Sequence, residues 1–301
     1  MREGFSGLST FRRGFARRSL ASLYSRFAAD LTAPHAYHDF TLLPGLFTDA
    51  AATTPLVPGD PMGFAISPDG GAGYSGGQFK GLGTERAPAP TAWTPSSANW
   101  VVDTSAGRAT LTNAANSGDI LNLGQLVGDR VGQVFLVSFN LESVSGTGIR
   151  VGSSRATDYA AITSPGRHHR IIHITLAGSG TMSVSPALGG VSAVISEISI
   201  RPLPGNHATQ PSSAARPVIE EYAPRRTRFV GGSGKWMRSS IKTTAAMTLM
   251  AQVRVADEVT GAQYPLGAWD GGDGRAYMSV YQSKASGGVV QRHQGLPPWR
   301  H

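Results

Sequence analysis

The sequence has no cysteine, which removes disulfide bridges, thiolate metal sites and thiol nucleophiles together. Charged residues are scarce at 15%, too few for a charged coiled coil or a charge-driven disordered chain. No uninterrupted apolar run approaches the roughly 18 residues that a membrane span requires, so no membrane span is expected. Helical content is opposed by 38 Gly and 19 Pro among 301 residues. What is present instead is a series of short segments rich in Val, Ile and Thr, separated by Gly, Ser, Asn and Asp. That pattern predicts a mainly β protein.

The net charge of +8 is unevenly distributed. Residues 1–29 carry six arginines (Arg2, Arg12, Arg13, Arg17, Arg18 and Arg26) against Glu3. Residues 222–242 carry Arg225, Arg226, Arg228, Lys235, Arg238 and Lys242 with no acid. A nucleic-acid reader spreads its basic charge over one folded face. Two local patches fit solvated faces or contacts with acidic partner subunits better, and no nucleic-acid partner is expected.

Residues 1–32 read as a basic amphipathic helical arm. Apolar positions at Phe11, Phe15, Leu20, Leu23, Tyr24, Phe27 and Leu31 fall mostly three or four apart, and Ser9 or Thr10 would cap the helix. An Arg- and Ser-rich, acid-poor start also fits an organellar transit peptide or a membrane-surface helix. A docking arm is preferred, because no small-residue cleavage signal follows. Its contact residues are then Phe11, Arg12, Arg13, Phe15, Arg17, Arg18, Leu23 and Phe27.

Residues 33–83 read as irregular chain with one or two strands. Residues 84–202 read as a β-sandwich of eight strands: Trp100–Val102, Arg108–Thr112, Asp119–Leu123, Gln133–Leu141, Gly148–Val151, Arg170–Leu176, Thr181–Val184 and Ser192–Arg201. In the fourth, Phe135, Val137, Phe139 and Leu141 make one uniformly apolar face, as a sandwich core needs. Eight short strands with turn signals between them argue for a two-sheet jelly roll. Residues 203–217 read as a linker, and 218–301 as a further, short β region.

Several patterns suggest chemistry and are weighed against simpler readings. Gly73-Tyr74-Ser75-Gly76-Gly77 matches G-x-S-x-G, but no strand-then-helix context surrounds it, so a flexible Gly-rich loop is expected and no esterase. His168, His169 and His173 are read as part of a strand. His169 and His173 then share a face about 13 Å apart, too far to share a metal. Asp270 and Asp273 in a Gly-rich loop suit a hairpin turn, with Ca²⁺ as the lesser alternative; no cofactor is expected. Trp93, Trp100 and Tyr159 are the candidate aromatic platforms for a glycan, with core packing as the competing role for the two tryptophans. No carboxylate pair with an acid–base separation stands out, so no catalytic residue is assigned.

Leu46-Phe47-Thr48-Asp49-Ala50-Ala51-Ala52-Thr53-Thr54-Pro55, followed by Gly59-Asp60-Pro61-Met62-Gly63, resembles a stretch of bacteriophage and prophage tail-fibre and minor-tail proteins. So does Gly205-Asn206-His207-Ala208-Thr209-Gln210 with Arg216-Pro217. In that family the two stretches usually lie close together in sequence, ahead of a laminin-G or concanavalin-like β unit. The resemblance implies that residues 40–80 and 203–301 form one unit, the last part of it a partial laminin-G-like region. The sandwich at 84–202 would be an insertion similar to carbohydrate-binding modules. It implies a non-enzymatic virion protein of the tail, fibre or neck, with other virion proteins, copies of itself and host-surface glycan as partners. The alternative is a secreted bacterial carbohydrate-binding module or adhesin. The fold expected overall is an antiparallel jelly roll inserted in a partial concanavalin-like unit, with an N-terminal amphipathic helix.

Overall fold

A computed structural model describes residues 43–67, 71–126, 133–153, 160–174, 180–223, 226–230, 235–239, 263–269, 275–282 and 289–293. These residues form antiparallel strands joined by turns, and the chain divides into two compact units, 1–240 and 241–301. The expected arm at 1–32, Tyr159, and Asp270 with Asp273 lie outside the described residues. No helix of the described residues is long and apolar enough to cross a membrane.

The first unit opens with β1 (Leu46–Phe47) and β2 (Phe64–Ala65), which pair antiparallel. A hairpin follows, β3 (Gly73–Ser75) and β4 (Gln78–Lys80), turning at Gly76 and Gly77 with φ of 56° and 76°. Two successive positive φ values define the turn whose twist matches a hairpin, and glycine adopts them freely. The G-x-S-x-G stretch, read as a flexible loop, is therefore an ordered hairpin. Ser75 is followed by the turn and a strand, with no helix to make a nucleophile elbow.

The next strands are β5 (Thr94–Pro95), β6 (Trp100–Asp103), β7 (Arg108–Leu111), β8 (Leu121–Leu126), β9 (Val134–Val144), β10 (Ile149–Ser153), β11 (Gly166–His173), β12 (Gly180–Pro186) and β13 (Ala193–Pro202). They form a four-stranded sheet, β10-β12-β8-β5, and a five-stranded sheet, β11-β9-β13-β7-β6. Alternation along β9 sends Phe135, Val137, Phe139 and Leu141 into one core, as the sequence predicts. There they meet Leu121 and Leu123 of β8, Ile149 and Val151 of β10, and Met182 and Val184 of β12. The two sheets thus share a single apolar interior, the arrangement of a β-sandwich.

The opposite face of β9 is not simply polar. Val134 and Leu136 are buried with Ile171 and Leu203 in a second cluster that contains Phe47 and Phe64 from β1 and β2. Phe47 also stacks on Phe79 at 5.5 Å and meets Tyr74 edge-on at 4.9 Å. This aromatic group seals the outer face of the five-stranded sheet at one end. Such pairs add about 0.5–1.5 kcal/mol each beyond their burial.

After β13 come β14 (Ala208–Thr209), β15 (Val218–Ala223), β16 (Arg226–Val230) and β17 (Arg238–Ser239). β1, β2, β14 and β17 form one sheet in that order, with Ala65 opposite Ala208 and Phe64 opposite Thr209. Residues 203–217 are therefore not a linker. His207 and Gln210 are 1% and 0% exposed, because their polar groups find partners inside the fold. His207 Nδ1 accepts from Ser67 N–H at 2.9 Å, and its Nε2 donates to the Leu203 carbonyl at 3.1 Å. Gln210 Nε2 donates to the Trp236 carbonyl. The expected division at 217/218 is likewise corrected: β15 and β16 pair within the first unit, with Glu220 opposite Arg228. In the second unit, β18 (Gln263–Trp269), β19 (Arg275–Gln282) and β20 (Val289–His293) form a three-stranded antiparallel sheet.

Candidate functional site

Two features of the first unit combine polar chemistry with shape. The first is the joint between the sandwich and the small sheet, where the Leu46–Pro55 stretch is fixed by its own acid. The Asp49 carboxylate accepts from the N–H groups of Thr53 and Thr54 and from the Thr53 hydroxyl, closing a tight loop. Ala52 takes φ of 53° within it. The loop covers an edge of the five-stranded sheet: Ile171 N–H donates to the Ala51 carbonyl, and His169 Nε2 donates to the Ala52 carbonyl. An uncovered sheet edge is a pairing hazard, so this loop protects the sandwich as well as joining it.

The two stretches that carry the family resemblance meet here. Arg216 donates from Nη1 to the Thr48 carbonyl, from Nε to Gln210 and from Nη2 to Pro211. Gly63 N–H donates to Phe47, and Gln210 N–H donates to Gly63. A Cβ on Gly63 would lie 2.5 Å from the Asp49 carbonyl carbon, so only glycine allows this approach. Thr48, Asp49, Thr53, Arg170, Pro211 and Arg216 border a shallow cavity of about 350 Å³.

The second feature is a cleft of about 570 Å³ on the sandwich. Its apolar lining comes from Pro88, Pro90, Trp93 and Ile198, and its polar lining from Glu85, Arg108, Glu142, Ser196 and Glu197. Arg108 grips Glu142 through two hydrogen bonds, Nε to Oε1 at 3.2 Å and Nη2 to Oε2 at 2.6 Å. Hydrogen bonding from Ser196, against some burial, together with Arg108 holds the Glu142 carboxyl below its ordinary range. Glu85 is raised by burial. The Ser199 hydroxyl and the N–H groups of Ala87, Ile200 and Arg86 outweigh that and leave it lowered.

Glu197 occupies an unusual backbone position. Between Ser196 and Ser199, β13 carries one more residue than β9 opposite it, a β-bulge. Glu197 sits in that bulge with φ of 51°, where glycine is the residue without penalty. A side chain in this left-handed region costs about 1–2 kcal/mol. The local return is an ion pair to Arg167 at 2.6 Å, with both side chains more than half exposed. Exposed pairs contribute about 0–1 kcal/mol, less than the strain.

The sequence-predicted residues are placed as follows. Trp100 is 3% exposed and donates Nε1–H to the Asp119 carbonyl at 2.9 Å, so its ring belongs to the sandwich core. Trp93 is 7% exposed, donates Nε1–H to the Pro88 carbonyl and contributes to the lining of the cleft. Neither presents an open ring face, the property that made them candidate glycan platforms. His168 stacks on Phe139 and its Nε2 donates to Ser164, while His169 faces the joint, so alternation separates them as expected. Sequence reasoning missed the cleft. Glu85, Arg108, Glu142 and Glu197 are scattered along the chain; strand pairing brings β7, β9 and β13 together, and hydrogen bonds from Ser199 and Ile200 tie Glu85 to β13. Comparison with protein-family models, curated proteins and solved structures finds no match to this chain.

Proposed function

We propose that the chain is a non-enzymatic structural component of a tailed phage or prophage particle, in its tail, fibre or neck. In this reading the sandwich is a jelly roll carried as an insertion, and the small sheet is its mount. The observation that supports it is the joint: the two resembling stretches, remote in sequence, lie side by side in β1, β2 and β14 and are tied by Arg216. Gly83 N–H also donates to the Pro202 carbonyl at 2.8 Å, so the sandwich leaves and re-enters its mount at one point. Insertion is tolerated where the two ends of the inserted piece lie together.

The Arg-rich segment 1–32 docks the protein onto the particle. Any glycan contact is weak and multiplied by copy number, since the candidate tryptophans are buried. Peptide mass spectrometry of purified, density-banded particles from an induced producing strain tests the proposal. The chain is expected in fixed stoichiometry to the major tail proteins. Its recovery only in the culture supernatant, free of particles, would overturn the reading in favour of a secreted adhesin or carbohydrate-binding module.

A further inference from the structure

We propose that the cleft on the sandwich binds a short neutral saccharide, a placement that rests on the reading that any glycan contact is weak and multiplied by copy number. At about 570 Å³ the cleft falls within the roughly 300–1,000 Å³ that small-ligand sites occupy.

Its polar groups stand on neighbouring strands. Ala109, Leu111, Leu141 and Ile195 enter the core, so alternation turns Arg108, Glu142 and Ser196 outward together on β7, β9 and β13. Every charge in the lining already has a partner in the fold. Arg108 pairs with Glu142, Glu197 pairs with Arg167, and Glu85 accepts from Ser199 and backbone N–H groups. Such a lining does not attract a counter-charge. It offers oriented donors and acceptors to a neutral ligand instead.

That capacity is only partly used. Arg108 gives two of its five N–H groups to Glu142, and its side chain is 48% exposed. Glu197 keeps acceptor capacity beyond its ion pair. Sugar hydroxyls both donate and accept, and groups held in place by pairing lose little freedom when a ligand arrives. Pro88, Pro90 and Ile198 supply apolar lining beside these groups. A pyranose ring has the matching division, an apolar C–H face and a polar rim.

Glu197 is the residue that stability alone does not explain. Its left-handed backbone costs more than its exposed ion pair returns, and bulges re-aim side chains beside functional sites. Glycine would relieve the strain but leave no carboxylate there. Because three lining groups are carboxylates, an acidic sugar meets like charge and is disfavoured.

The test follows the indole N–H resonance of Trp93 in the full chain, assigned through Trp93→Phe. Glucose, galactose, mannose and N-acetylglucosamine are titrated in turn, then glucuronic and N-acetylneuraminic acids. At least one neutral sugar is expected to shift that resonance saturably, with a dissociation constant in the millimolar range. The Trp100 resonance, bonded to Asp119 in the core, is expected to stay still, and the acids to move neither.

Glu197→Gly is expected to raise Tm by about 2–4 °C through relief of the left-handed strain, while weakening the sugar about tenfold. Glu197→Gln keeps the strain and the shape, so it is expected to weaken binding with Tm nearly unchanged. No shift with any neutral sugar, equal binding of the acids, or unchanged affinity in Glu197→Gly would overturn the proposal. Saturation transfer to a sugar that leaves Trp93 unmoved would overturn the cleft and keep the glycan reading. Presence of the chain in particles is measured separately, so failure here leaves the virion reading standing.

Discussion

Arg216 Nη1 lies 3.0 Å from the carbonyl oxygen of Thr48, a contact between residues 168 positions apart. The same guanidinium holds Gln210 and Pro211, so one side chain fastens the segment after the sandwich to the segment before it. The Arg-Pro pair read as a family signature therefore has a physical task in this chain. It closes the small sheet on which the sandwich is mounted.

Arg216→Lys removes the planar fork while keeping the charge. A single ammonium cannot reach three carbonyls arranged around a guanidinium. Loss of two charge-assisted bonds is expected to cost about 2–4 kcal/mol, read as a lower urea midpoint with an unchanged m-value. Arg216→Met should cost no less.

Gly63→Ala tests the close approach of the first motif's two halves. The added methyl would meet the Asp49 backbone, which cannot rotate away as a side chain would. A loss of about 1–3 kcal/mol or more is expected. Gly73→Ala is the control, because nothing lies within 4 Å of its added Cβ and its φ is not positive. Equal effects of the two on thermal unfolding would contradict the geometry.

Acid sensitivity follows from Glu85 and Asp119. Both carboxyls are lowered from ordinary values of 4.5 and 3.8, Glu85 by the balance already described and Asp119 first by its hydrogen bond from Asn99. A carboxyl lowered in the fold binds fewer protons there than in the unfolded chain. Its stabilisation is therefore complete above the ordinary pKa and is lost as pH falls through the lowered one. Urea midpoints should hold steady near neutrality and drop below about pH 4.5. Glu85→Gln should show a shallower drop between about pH 5 and pH 3, and a profile identical to wild type would remove Glu85 from the account.

All eight strands expected between 84 and 202 occur, with ends shifted by up to a few residues. Each is long enough for period-two alternation to show, and β9 displayed its core face in full. β5, β1, β2, β14 and β17 were illegible because two residues carry no period. Residues 203–217 were misread for a related reason. His207 and Gln210 look like solvent-seeking residues, yet their hydrogen bonds to Ser67, Leu203 and Trp236 make burial possible. The cleft was hidden because its acids come from three separate segments. The bulge at Glu197 leaves no composition signal, since glycine, the usual marker, is absent there.

The central claim is that segments on either side of the sandwich close one sheet. The chain's lack of cysteine makes a direct measurement available, because Ala65→Cys with Ala208→Cys introduces the only thiols. These residues face each other across β2 and β14, at a cross-strand separation of about 5.5 Å that suits a disulfide. Mild oxidation of the folded double variant is expected to give a monomeric crosslink, seen as faster migration in non-reducing gels, with both thiols consumed. Thiols that remain titratable in the folded protein, or crosslinks only between chains, would contradict the claim.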